Sequence, residues 1–161
     1  MNTSPANTKT YSGQTEKTEP TILLVEDEPV VREVTRAVLE HAGYRVLESN
    51  GPEEALRLGI EHRGHIGLLL SDVVMPGMNG PELALRLQSL QPGLITVFMS
   101  GYADHDVLHR VMHGAMTAFI QKPFTIEVLL SGVAEALRTP PKVREAARLS
   151  GVSAGRLQCM R

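Results

Sequence analysis

Apolar residues in this chain fall into short, nearly unbroken runs separated by longer amphipathic stretches. The runs cover Thr21–Val25, Tyr44–Glu48, Ile66–Ser71, Leu94–Met99 and Ala118–Ile120. Most are too short for a helix and carry almost no polar interruption, the pattern of strands buried on both faces of a parallel sheet. Between them the apolar spacing becomes helical. Val30, Val31, Val34, Val38 and Ala42 fall on one stripe of a helix opened by Pro29 and stopped by Gly43. Pro52–His62 carries Ala55, Leu56 and Leu58, and Pro81–Leu90 carries Leu83, Leu87 and Leu90. Asp104 can cap a fourth helix running to His113, which Gly114 closes, and Thr125 can cap a fifth. That fifth helix runs to Leu137 with Val128, Leu129, Val133 and Leu137 apolar.

Five strands alternating with five helices predict an α/β fold with right-handed crossovers. Five units are too few for an eightfold barrel. The expected form is a flavodoxin-like doubly wound (βα)5 sandwich with a parallel sheet in the order 2-1-3-4-5. Residues 1–20 are polar and unpatterned and are expected to be a disordered leader. The structured domain then spans 21–138, and 139–161 form a short C-terminal tail with no separate effector domain.

Composition narrows the function classes. The chain has 161 residues, 42% of them hydrophobic and 21% charged, which suits one soluble domain with tails. A net charge of −2 provides no basic field for nucleic acid or anionic lipid. The single cysteine, Cys159, excludes an intrachain disulfide and fits a reducing compartment. No apolar stretch approaches the roughly 18 residues of a membrane span, and the leader lacks the apolar centre of a secretory signal. The expected location is the cytoplasm. The tail carries four arginines, but about twenty residues cannot supply the helices and core of a DNA-reading unit, so no DNA binding is expected.

The chemistry collects at strand ends. In open parallel sheets ligands bind where strands finish, near the point at which strand order reverses. Strand 1 finishes at Glu26 and Asp27, strand 3 at Asp72, strand 4 at Ser100 and strand 5 at Lys122. Three neighbouring carboxylates repel one another, at about 4 kcal/mol for two unit charges ~4 Å apart near a surface. Lys122 offsets part of this, and a hard divalent cation offsets more. Oxygen-only ligands suit Mg²⁺, which leaves positions open for phosphoryl oxygens.

The segments ILLVEDEP, LLLSDVVMPGMNG, FMSGYAD and FIQKPF, in this order and spacing, resemble the receiver domain of two-component response regulators, in the style of receivers fused to hybrid sensor histidine kinases. The resemblance covers Pro20 to Arg138. It implies that Asp72 accepts a phosphoryl group from a sensor histidine kinase or histidine phosphotransfer protein. It implies that Asp27, Asp72 and the Val74 carbonyl ligate Mg²⁺, with Glu26 holding a metal-bound water. Lys122 would pair with a phosphoryl oxygen and precede a cis Pro123. Ser100 would offer its hydroxyl to the phosphoryl group, and Phe119 would be the aromatic that turns inward on activation. The face of strand 4, helix 4 and strand 5 would move, and the face of helix 4, strand 5 and helix 5 would be where two copies pair.

Val74 and Tyr102 flank the path of an attacking water and neither can readily orient it, so slow self-hydrolysis is expected. His105, His109 and His113 share a helix face; no Cys or acid completes a zinc set, and they read as a solvated stripe. A phosphatase of the haloacid dehalogenase type wants a second acid where Val74 stands. A flavodoxin would not place Glu26-Asp27-Glu28 against a flavin phosphate. The expected role is therefore a phosphoacceptor signalling domain, free or part of a hybrid kinase, that catalyses only its own phosphorylation and dephosphorylation.

Overall fold

The structure, a computed structural model, describes residues 20–101 and 117–138. The described elements are β1 (Thr21–Val25), α1 (Pro29–His41), β2 (Arg45–Ser49), α2 (Pro52–Glu61), β3 (Ile66–Asp72), α3 (Gly80–Leu90), β4 (Ile95–Ser100), β5 (Thr117–Gln121) and a C-terminal helix α4 (Ile126–Arg138). The helix expected over residues 104–113, with its three histidines, lies outside the described residues.

The strands form one sheet in the order β2-β1-β3-β4-β5, and every neighbouring pair is parallel. This is the flavodoxin-like doubly wound arrangement. Successive side chains point to opposite faces, so the apolar runs fill two cores at once. Leu23, Val25, Leu69 and Phe98 pack on one face with Ala55 of α2 and Leu83, Ala84 and Leu87 of α3. Ile22, Leu24, Leu68, Leu70, Val97 and Met99 pack on the other with Leu39 of α1 and Leu129, Val133 and Ala136 of α4. Gly59 of α2 lets α3 come close, since a Cβ there would stand 2.3 Å from a Leu87 methyl.

The stripe expected on α1 needs correction. Val30 and Val34 are 68% and 58% exposed, and Thr35 and Leu39 are the buried residues. Each residue turns the helix by about 100°, so a stripe centred on Thr35 and Leu39 leaves Val34 about 120° and Val30 about 160° away, on the outward face. A buried threonine fills the position that apolar counting assigns to a valine. On α4, likewise, Val128 is exposed and Ala136 is buried. Thr125 does cap that helix, its Oγ1 accepting from the Val128 N–H at 3.3 Å.

Strand register sets the position of the site. Val25 pairs with both Ser49 and Ser71, Asp72 with Met99, and Ser100 with Gln121. The strands therefore finish in line, and the residues at or just past their ends share one edge of the sheet.

Candidate functional site

The carboxyl edge brings together Glu26, Asp27, Asp72, Ser100 and Lys122. Asp72 is the last residue of β3. One of its oxygens, Oδ1, accepts from the Val73 N–H at 2.7 Å. The other, Oδ2, accepts from Lys122 Nζ at 2.8 Å. The same ammonium donates to Glu26 Oε2 at 2.7 Å, and Glu26 Oε1 accepts from the Glu28 N–H at 3.2 Å. Lys122 thus bridges two acids that β1 and β3 deliver from adjacent strands. Carboxylate oxygens of Glu26, Asp27 and Asp72 lie within 4.8 Å of one another.

Burial divides the acids. Glu26 is 1% exposed, Asp72 is half-buried and Asp27 is exposed. Burial raises the Glu26 carboxyl above its ordinary value, against the opposing pull of Lys122; the nearby Asp72 charge raises it further. Burial alone would lower the Lys122 ammonium, but hydrogen bonds to Asp72 and Glu26 outweigh it and the net direction is upward. One contact stabilises both charges, yet the more deeply buried partner still titrates late.

Ser100 is buried at the end of β4, and its carbonyl accepts from the Lys122 N–H at 2.8 Å. The serine and lysine are therefore mechanically joined through the backbone. The Lys122–Pro123 peptide is cis, as the resemblance implies. Phe119 is 47% exposed, with its ring centroid 6.4 Å from that of buried Phe98, its register partner on β4. Val74 is exposed beside the acids, and Tyr102 lies outside the described residues.

Sequence reasoning passed over three residues that shape this edge. Gly80 opens α3 against the Asp72 backbone, and a Cβ at that position would lie 2.1 Å from the Asp72 carbonyl oxygen. Its N–H donates to the Val73 carbonyl at 2.9 Å, which closes the loop carrying Val74. Ser71, fully buried, donates through Oγ to the Asp72 carbonyl at 2.8 Å. Arg32 of α1 donates from Nη1 to the Glu26 carbonyl at 2.8 Å. The Asn79-Gly80-Pro81 turn hinted at the first; the other two are a serine and an arginine in ordinary sequence surroundings.

Among the described residues a cleft of about 510 Å³ lies between Asn50–Glu54 and the segments around Pro76–Met78 and Glu82–Arg86, and none of the five edge residues lines it. The acids and lysine sit apart from it, at the carboxyl edge of the sheet. No helix among the described residues is long and apolar enough to cross a membrane.

A five-stranded parallel sheet in this order, with clustered acids and a lysine at its carboxyl edge, defines a phosphorelay receiver of two-component signalling. The chain belongs to the response regulator receiver domain family, which it matches over residues 22–134. It is 38% identical over 117 residues, 73% of its length, to the sensor kinase CckA of Brucella abortus (strain 2308). It is 29% identical over 118 residues, again 73% of its length, to a cyclic di-GMP phosphodiesterase of Thermotoga maritima. It spans only 12% of the first relative and 31% of the second. Among solved structures, the receiver domain from the hybrid histidine kinase CckA is similar at 36% identity and a TM-score of 0.63, covering 73% of this chain and 99% of that one.

Proposed function

We propose that Asp72 is the phosphoacceptor of this receiver and that a sensor histidine kinase or histidine phosphotransfer protein supplies the phosphoryl group. The observation that carries this is the Lys122 bridge to Asp72 and Glu26 inside the three-acid cluster. The donor must bring its phosphohistidine within bonding distance of a carboxylate oxygen of Asp72. An Asp72 oxygen forms a bond to phosphorus as the P–N bond breaks, and the imidazole leaves to take up a proton. Such transfers have loose transition states with charge spread over equatorial oxygens, so positioned cations do most of the work.

The donor set fits Mg²⁺: it consists of carboxylate oxygens alone, with no nitrogen or sulfur ligand in the cluster. Asp27, Asp72 and the Val74 carbonyl would hold the ion directly and Glu26 through water. Bound there, it would neutralise charge on the transferring oxygens. Lys122 supplies the second positive charge, already seated against Asp72. The product's added oxygens draw on Lys122 and the Ser100 hydroxyl. Because the Lys122 N–H bonds the Ser100 carbonyl, the ends of β4 and β5 respond together, with Phe119 next to them. The same reading makes the domain its own catalyst for phosphorylation and dephosphorylation, working in the cytoplasm.

The test is phosphorylation by a phosphohistidine donor or acetyl phosphate, with and without Mg²⁺, read by intact mass. Labelling requires Mg²⁺ and disappears in Asp72→Asn. Undiminished labelling of that variant overturns the assignment.

A further inference from the structure

We propose that Arg32 is a positioning residue for the metal-binding acids, holding the peptide from which Asp27 hangs; this rests on the Mg²⁺ reading above. The two acids of the β1–α1 turn are held differently. Glu26 has a partner at every polar group: its N–H donates to the Ser49 carbonyl at 3.2 Å, its carboxylate is held by Glu28 and Lys122, and its carbonyl is held by Arg32. Asp27 is exposed, so packing does not fix its direction. The Glu26 carbonyl and the Asp27 nitrogen and Cα belong to one planar peptide unit. Fixing the carbonyl therefore fixes the base of the Asp27 side chain.

Arg32 is itself held in place. Glu48 of β2 places Oε2 3.9 Å from Arg32 Nε and 3.3 Å from Arg36 Nε, and Arg36 Nη1 pairs with Glu40 at 3.0 Å. The guanidinium thus spans from the α1–β2 charge network to the β1–α1 turn. Charge works both ways for an arginine here: Glu48 and the clustered acids attract it, while the helix terminus and a bound cation would oppose it. It sits in the first turn of α1, where the helix dipole repels cations, and it adds positive charge beside a site proposed to bind a divalent cation. The hydrogen bond to the Glu26 carbonyl gives the placement a geometric role that charge alone does not require.

The two roles predict opposite signs. If Arg32 acted only through its charge, removing it would tighten Mg²⁺ binding. As a positioning residue, its loss weakens binding by about tenfold, the scale of effect when the partner of a metal ligand is removed. Calorimetric Mg²⁺ titration of the full chain, backed by amide shifts of Asp27 and Val74, reads the difference for Arg32→Met. Arg32→Lys keeps the charge but loses the planar fork, retains the fold if Arg32→Met does not, and is expected to remain weakened at least about threefold. Unchanged or tighter binding in Arg32→Met, or full affinity in Arg32→Lys, overturns the proposal. Asp27→Asn separates the two readings. If it binds Mg²⁺ as the parent does, the metal assignment fails and the role of Arg32 fails with it. If it loses binding while the Arg32 variants do not, only the role of Arg32 fails.

Discussion

Lys122 Nζ stands 2.8 Å from Asp72 Oδ2, although 50 residues separate the two in sequence. The same nitrogen stands 2.7 Å from Glu26. One ammonium is thus shared between Asp72, the proposed acceptor, and a buried acid.

Lys122→Met leaves the Glu26 carboxylate buried without its cation. A buried charged group that loses a hydrogen-bonding partner costs about 1.5–3 kcal/mol, so urea denaturation of the metal-free variant should show a loss of that order at pH 7. Adding Glu26→Gln to Lys122→Met should recover much of it, because the more deeply buried of the two acids is then uncharged. A double-mutant cycle with no coupling between the two positions would count against the bridge.

The pH dependence follows from the two shifts, and both have the same sign. Glu26 titrates above its ordinary 4.5 in the folded state. The folded chain then holds more protons than the unfolded one above pH 4.5, so stability falls as pH rises from there through the folded value. Lys122 titrates above its ordinary 10.5. Its contribution is intact below pH 10.5 and is lost as pH climbs through the folded value. Denaturation curves of metal-free protein should show Glu26→Gln gaining on the parent as pH increases from 4.5. A parent that gains on Glu26→Gln over that range would contradict the burial of an ionised Glu26.

Gly80→Ala places a methyl group 2.1 Å from the Asp72 carbonyl oxygen. Either α3 retreats or the end of β3 moves. Overpacking of this kind costs about 1–3 kcal/mol, and phosphorylation should slow because the displaced backbone carries Asp72. Parent-like melting together with a parent-like labelling rate would show that the close approach is dispensable.

Val74→Asn adds an amide beside the acids at an exposed position, where substitution is expected to shift stability by no more than about 0.5 kcal/mol. Its amide can orient water toward the aspartyl phosphate, which should shorten the phosphoprotein lifetime several-fold with little change in melting. An unaltered lifetime would remove Val74 from the groups that set it.

The sheet was legible because its strands are buried on both faces, and burial on both faces writes itself as an uninterrupted apolar run. Leu68-Leu69-Leu70 needs no periodicity to be read. The edge residues were legible because each follows such a run. The helices were less transparent, since a stripe tolerates substitution: Thr35 occupies the core position of α1 while Val30 and Val34 face outward. Gly80, Ser71 and Arg32 escaped notice for a different reason. Each acts on a backbone carbonyl, of Asp72 or of Glu26, and carbonyls leave no trace in residue identity.

The bridge from Glu26 to Lys122 spans 96 residues and connects the first strand of the sheet to the last. Closing a contact so distant in sequence costs loop entropy that local contacts do not. Until β5 joins the sheet, Asp72 lacks the ammonium that Lys122 places against it. On the role proposed for Asp72, acceptance of phosphate would therefore report that the sheet is complete from its first strand to its last.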